Sequence, residues 1–227
     1  MTFADLSIHP ALRAALAARG YETPTGVQAA VLDAGSAGRD LLVSSQTGSG
    51  KTIAFGAAMA DSLLPAGDAH VPHGPNPIAL VIVPTRELAA QVREELRWLF
   101  AGSGLRLASC TGGTPVMGDL KALQRGVELV IGTPGRLVDL LRRQRLQLAD
   151  LRVVVLDEAD EMLDLGFRED LEKLLQAAPA ERRTLLLSAT LPSEIRALAR
   201  RYQRDALAID PRKADGAGAG AGPSPGR

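Results

Sequence analysis

The sequence predicts an α/β protein, a mostly parallel sheet flanked by helices on both faces, and three observations predict it. Short runs that are apolar throughout, such as Ile78-Ala79-Leu80-Val81-Ile82-Val83 and Val153-Val154-Val155-Leu156, alternate with longer stretches at helical spacing. A strand with no polar face is buried on both sides, the pattern of parallel sheets covered by helices. Asp40-Leu41-Leu42-Val43 leads through the glycine-rich Ser45-Gln46-Thr47-Gly48-Ser49-Gly50-Lys51-Thr52 into an alanine-rich helical stretch, residues 53–60. The chain's unusual clusters of Gly, Thr, Arg and acidic residues follow directly on the apolar runs, at the strand ends where open parallel sheets hold ligands.

Taken in order, residues 6–19 have apolar residues at helical spacing, with Pro10 near the first turn. Gly20 and Pro24 punctuate the chain before a second helix expected over residues 27–37. After the glycine-rich loop and its helix, strands are expected over residues 77–83, 105–110, 127–131, 152–156 and 184–187, with a last strand over 206–209. Helices are expected over residues 86–100, 117–125, 135–143, 168–178 and 193–202. No internal repeat is present. After Asp210 the composition turns to Gly, Ala and Pro, which cannot bury a core, so residues 211–227 read as a disordered tail or linker behind a domain of residues 1–210.

Length and composition set the outer bounds. The 227 residues suffice for one large domain or two small ones. Hydrophobic residues make up 46% and aromatics 3%, so the core must be built from Leu, Val, Ile and Ala. With 26 basic and 26 acidic side chains the formal net charge is +0, and any basic surface must be local. Only Lys51, Lys121, Lys173 and Lys213 are lysines; the other basic residues are arginines. Cys110 is the single cysteine, which excludes a disulfide framework and a cysteine-rich zinc site. His70 and His73 share a Gly/Pro-rich loop but lack a third metal ligand nearby. No apolar run approaches the roughly 18 residues of a membrane span, and the first residues show no basic leader. The expectation is a soluble, cytoplasmic protein without a membrane partner.

The glycine-rich loop carries specific chemistry. Glycines at 48 and 50 let successive N–H groups curl around an anion, and the following helix start adds partial positive charge. Lys51 can reach β- and γ-phosphates and the Thr52 hydroxyl can ligate Mg²⁺; the pattern's first glycine is replaced by Ser45. The other strand ends carry Pro84-Thr85-Arg86-Glu87-Leu88-Ala89, Thr111-Gly112-Gly113, Thr133-Pro134-Gly135-Arg136, Asp157-Glu158-Ala159-Asp160 and Ser188-Ala189-Thr190. Taken singly, the acidic tetrapeptide also reads as the first turn of a helix, and 188–190 as a cap.

The set TGSGKT, PTRELA, TGG, TPGR, DEAD and SAT, in this order, resembles the first RecA-like domain of a DEAD-box ATP-dependent RNA helicase. Residues 20–28, with Tyr21 and Gln28, resemble that family's adenine-reading Q motif, and the resemblance runs from residue 3 to about 209. Tyr21 stands where phenylalanine is commoner and Val27 where isoleucine is; motifs of the family's second domain, its arginine finger included, are absent.

The resemblance implies a RecA-like P-loop domain that takes ATP and Mg²⁺. Gln46, Thr47, Gly48, Ser49, Gly50, Lys51 and Thr52 would hold the nucleotide, with Tyr21 and Gln28 on the base. Phe3 resembles the aromatic that stacks on adenine, and also reads as an ordinary buried Phe. Asp157 would hold Mg²⁺ with Thr52, Glu158 would deprotonate the attacking water, and Lys51 completes the catalytic set. Asp160, Ser188 and Thr190 would couple the nucleotide site to the nucleic-acid site. Thr85, Arg86, Gly112, Gly113, Thr133, Gly135 and Arg136 resemble RNA-contact residues, of types suited to phosphate and sugar. Arg142, Arg143 and Arg145 read as an extension of that surface or as a solvated helix end. The expected function is the ATP- and RNA-binding first half of an enzyme that couples ATP hydrolysis to local RNA unwinding, nearly inactive without its second RecA-like domain. A non-enzymatic ATP/RNA-binding module is the alternative; a DNA translocase fits the combined motifs less well.

Overall fold

The computed structural model describes residues 1–46, 48–65 and 70–211. Its centre is a seven-stranded sheet in the order β3-β4-β2-β5-β6-β1-β7. In chain order the strands are β1 (Leu41–Ser44), β2 (Ala79–Ile82), β3 (Leu107–Cys110), β4 (Leu129–Gly132), β5 (Val153–Leu156), β6 (Arg183–Ser188) and β7 (Leu207–Ile209). Every pairing is parallel, and a single register row runs Val81, Val155, Leu185, Leu41.

The apolar runs divide between the two faces by strict alternation. Val81, Val155, Leu185 and Leu41 enter one core with α1 (Pro10–Ala18), α2 (Gly26–Val31), α3 (Lys51–Leu63) and α4 (Arg86–Leu99). Leu80, Ile82, Val154, Leu156 and Leu186 enter the other, under α5 (Val116–Gln124), α6 (Pro134–Arg142), α7 (Ala159–Asp164), α8 (Arg168–Ala177) and α9 (Ser193–Tyr202). Right-handed crossovers explain which helix covers which face. From β1 through β2 to β3 the chain moves one way across the sheet, and from β3 to β7 it moves back, so the helices change sides. Consequently the loops leaving β1 and its neighbour β6 depart toward opposite faces and open a crevice between them.

Local chemistry accounts for two departures from expectation. The second helix stops at Val31, because Ser36 Oγ donates to Val31 O and Asp33 Oδ1 accepts from Gly35 N, which turns the chain. The first begins only at Pro10, with His9 as its cap. The acidic tetrapeptide leads into a helix, α7, over Ala159–Asp164, in keeping with its reading as an acidic first turn. Among the described residues, no helix is long and apolar enough to cross a membrane.

Gly132, the last residue of β4, has backbone packed against it. A Cβ there would stand 2.5 Å from the Cys110 carbonyl oxygen and 2.7 Å from Leu137 Cδ2. Backbone cannot yield as a side-chain tip can. Gly132→Ala is expected to destabilise the fold by about 1–3 kcal/mol, the usual cost of overpacking, read as a lower urea midpoint with an unchanged slope. Cys110 itself is fully buried, and burial pushes its thiol up to about 12, so it stays an unreactive core residue.

Candidate functional site

The glycine-rich loop closes the C-terminal end of β1. Gly50 has φ +85°, the left-handed region, and a Cβ on it would lie 2.5 Å from Gln28 Nε2. That contact exists because Gln28 grips the loop: its Nε2 donates to Gly50 O at 3.2 Å, and its Oε1 accepts from Thr25 N at 2.9 Å. Thr25 adds a second clasp, its hydroxyl donating to Ser49 O at 2.8 Å. The Thr25-x-x-Gln28 spacing is that of a capping box, a signal visible in the sequence although Thr25 was not singled out there. Ser45, in place of the first glycine, hydrogen-bonds Ser49 through their hydroxyls at 2.6 Å. Helix α3 then starts at Lys51 without a side-chain cap, leaving its first N–H groups for an anion. Thr52 lies in that first turn; Thr47 is outside the described residues.

Across the crevice, β5 ends in Asp157 and Glu158. Lys51 Nζ donates to Glu158 Oε1 at 2.7 Å and stands 3.6 Å from Asp157 Oδ1 and 3.4 Å from Ser45 O. Burial raises the Asp157 carboxyl to about 6, with the Lys51 ammonium pulling the other way. Glu158 has φ 52° and ψ 50°, a left-handed conformation that costs a non-glycine residue on the order of 1 kcal/mol. Strain of this kind collects at sites where a side chain must be aimed. One buried carboxylate and one hydroxyl, beside a loop shaped for phosphates, form the hard-oxygen donor set that suits Mg²⁺ shared with substrate phosphates. Among the described residues, no group of three or more His, Cys, Asp or Glu is placed to hold a metal ion by itself.

Beside the loop lies a cavity of about 320 Å³ lined by Thr25, Gly26, Ser45, Gln46, Ser49 and Pro211, among others. Of the two readings open for Phe3, burial is what the structure displays: it is 3% exposed, its ring edge-on to Tyr21. Tyr21 is 37% exposed and stacks on Trp98 at 5.6 Å, with Arg19 over the same Trp98 ring. Neither Trp98 nor Arg19 was a candidate from sequence, since Trp98 meets Tyr21 and Arg19 only through the packing of α4 against α1.

Asp160 joins the ends of β5 and β6. Its Oδ2 accepts from Thr190 N at 2.9 Å and Thr190 Oγ1 at 2.7 Å, and its N–H donates to Ser188 Oγ at 3.3 Å. Burial pushes this carboxyl up, but the hydrogen bonds from Thr190 and Ser188 prevail and hold it below its ordinary value.

The remaining loops interlock at the ends of β2, β3 and β4. Thr85 caps α4, accepting from Leu88 N at 3.2 Å. Arg86 is exposed and lies against Gly113, where a Cβ would stand 2.6 Å from its Nη1. Gly112 N donates to Thr133 Oγ1 at 3.3 Å, and Gly135 is exposed at the start of α6. Arg136 is held differently: Nη1 pairs with Asp119 Oδ2 at 2.5 Å and Nη2 donates to Thr114 O at 2.6 Å, leaving the side chain 11% exposed. Asp119, not a sequence candidate, is buried against it.

Residues 25–198 match a sequence model described as DEAD/DEAH box helicase. The chain belongs to the DEAD/DEAH box helicase family. Among its DEAD-box relatives is "DEAD-box ATP-dependent RNA helicase 9, mitochondrial" of Arabidopsis thaliana, 43% identical over 210 residues, which are 92% of this chain and 34% of that protein. "DEAD-box ATP-dependent RNA helicase CshA" of Bacillus licheniformis is 41% identical over 89% of this chain and 40% of its own length. A solved DEAD box protein from the hyperthermophile Methanococcus jannaschii is similar in fold, with a TM-score of 0.82 at 35% identity, covering 92% of this chain and 55% of that one. The chain thus spans about a third of the first curated DEAD-box relatives.

Proposed function

We propose that this chain is the ATP- and RNA-binding first half of an ATP-dependent RNA helicase, working in the cytoplasm with a second RecA-like domain. The observation that supports it is the order of loops along one sheet edge. Read across the sheet, they run Gly112-Gly113, Thr133 to Arg136, Thr85-Arg86, Asp157 to Asp160, Ser188 to Thr190, then the phosphate loop. Residue types suited to a nucleic-acid backbone gather at one end and the anion cradle at the other. The Asp160–Thr190 link stands between them.

Lys51 would leave Glu158 for the β- and γ-phosphates, and Glu158, freed of its cation, would accept a proton from the attacking water. Mg²⁺, held by Thr52 and Asp157, would supply neutralisation of the phosphate charge. Gln28 would both brace the loop and offer its second N–H to the base, beside Tyr21. Thr85, Arg86, Gly112, Gly113, Thr133 and Gly135 would meet RNA phosphates and sugars. Arg136 chiefly fastens α6 to α5 and the Thr114 loop, so its loss would cost stability before affinity.

Two experiments test this reading. Arg86→Ala is expected to weaken single-stranded RNA alike for all sequences and to lower the slope of log K against log salt by about 0.7, one phosphate contact. Unchanged affinity and slope would move the RNA surface elsewhere. Gln28→Ala is expected to weaken ATP more than GTP in competition titrations, since a site that hydrogen-bonds a base rejects one that leaves its polar groups unpaired. Equal competition by GTP in the unmodified protein would remove the adenine assignment.

A further inference from the structure

We infer that the solvent face shared by α5 and α6 is a second track for the RNA phosphate backbone, leading from the loops of the site edge toward the opposite edge of the sheet. The inference rests on the RNA reading above and extends it to residues outside the site motifs. The two helices are linked near both of their ends. Their first turns are joined by the Arg136–Asp119 pair, and around their C-terminal ends Leu123, Val127, Arg145 and Leu146 line one small cavity.

The inner side of α5 is made by Val116, Asp119, Leu120 and Leu123, so Lys121 and Arg125, four residues apart, face water together. On α6, Leu137, Val138 and Leu140 are buried, and Arg142 and the following Arg145 are exposed. The acids of these two helices are already engaged, Asp119 by Arg136 and Asp139 by Arg143. Glu128, behind them, is held by Arg106 and His73, and Asp150 accepts from Asn76. Lys121, Arg125, Arg142 and Arg145 have no ion pair among the described residues, whereas Glu161, Asp164, Glu169, Asp170 and Glu172 gather on neighbouring α7 and α8. In a chain of net charge +0 this is a segregation of charge, with the positive side beginning where the RNA loops end.

Geometry suits a strand leaving those loops. The nine residues of α6 rise about 12 Å from Pro134 to Arg142, about three and a half nucleotide spacings of one duplex strand at roughly 3.4 Å each. Guanidinium forks on exposed stems meet phosphates without reading bases.

The test compares two RNAs: a short strand that fills only the site edge, and the same strand extended by a duplex or by further single strand. The protein is the full chain, unmodified or with Lys121→Gln, Arg125→Gln, Arg142→Gln and Arg145→Gln together. All four side chains are exposed, so folding should survive, and Arg→Lys versions at the three arginines serve as charge-retaining controls. The extended RNA is expected to bind more tightly than the short one. The neutralised variant should lose that gain and about 3 units of salt slope, four phosphates at about 0.7–0.9 each, while short-strand affinity stays unchanged. The duplex and single-strand arms show which form follows the track. An extended RNA with no advantage, or an advantage that survives neutralisation, overturns the track and leaves the RNA reading standing. Failure of the short strand to bind overturns both.

Discussion

Lys51→Ala is expected to lower ATP affinity by roughly 30- to 150-fold, about 2–3 kcal/mol of charge-assisted hydrogen bonding, whereas Glu158→Gln is expected to bind ATP nearly as well as the unmodified chain. The contrast follows from the crevice. Lys51 is 5% exposed and sits between Glu158 and Asp157, themselves 7% and 2% exposed. Removing the ammonium takes away the phosphate contact and also leaves two buried carboxylates without their cation. An uncompensated buried charge costs about 3–5 kcal/mol, so Lys51→Ala should also melt lower. Lys51→Gln, which keeps the volume and a donor, separates the two effects. Glu158→Gln keeps a neutral acceptor for Lys51 Nζ but cannot take a proton from water, so binding survives while hydrolysis falls. Titration of a fluorescent ATP analogue, with thermal unfolding alongside, checks both. Loss of binding in Glu158→Gln as severe as in Lys51→Ala would make Glu158 a structural partner of the lysine.

Supplying a second RecA-like domain is expected to raise RNA-stimulated phosphate release by about 10³–10⁵, the contribution of an arginine finger. The reasoning concerns what surrounds the nucleotide. Phosphoryl transfer is catalysed by positioning and by charge around the γ-phosphoryl group. The cavity beside the phosphate loop is lined by Thr25, Gly26, Ser45, Gln46, Ser49 and Pro211, among others, and no arginine reaches it among the described residues. Lys51 alone brings positive charge from the loop, and it is engaged by Glu158. The chain by itself should therefore bind ATP weakly and hydrolyse it near background, with RNA adding little. Phosphate release at saturating ATP and RNA, with and without a second domain added in trans or fused behind residue 227, reads the difference. Robust RNA-stimulated turnover by the chain alone, abolished by Glu158→Gln, would show that the missing charge is already present.

Much of this was legible without coordinates. Runs such as Val153–Leu156 have no polar face, and a strand of that kind has one home, inside a parallel sheet between helices. Gly48, Gly50 and Lys51 between strand and helix announce an anion cradle because backbone curvature and helix polarity are local properties. The second helix was read too long because Ser36 and Asp33 act through side-chain hydrogen bonds to backbone, which periodicity does not register. Helix α7 was legible only as an acidic first turn, because six residues rich in acid carry too little apolar repeat to show its extent.

The sequence by itself determined the class of fold, the six motif loops and the chemistry each loop can offer, since all of these depend on residues close together in the chain. Tertiary structure alone decided which loops are neighbours. The chain meets them with the phosphate loop first, yet the sheet sets it beside Ser188 to Thr190 and far from Gly112 and Gly113. It also brought Lys51 to Glu158 across 107 residues and Gln28 to Gly50, committed Arg136 to Asp119, and buried Phe3 under Tyr21. The physical reason is the reversal at β3: right-handed crossovers carry the chain out along one face of the sheet and back along the other. Strand order, and with it every long-range partner, follows from the packing of whole helices on those faces.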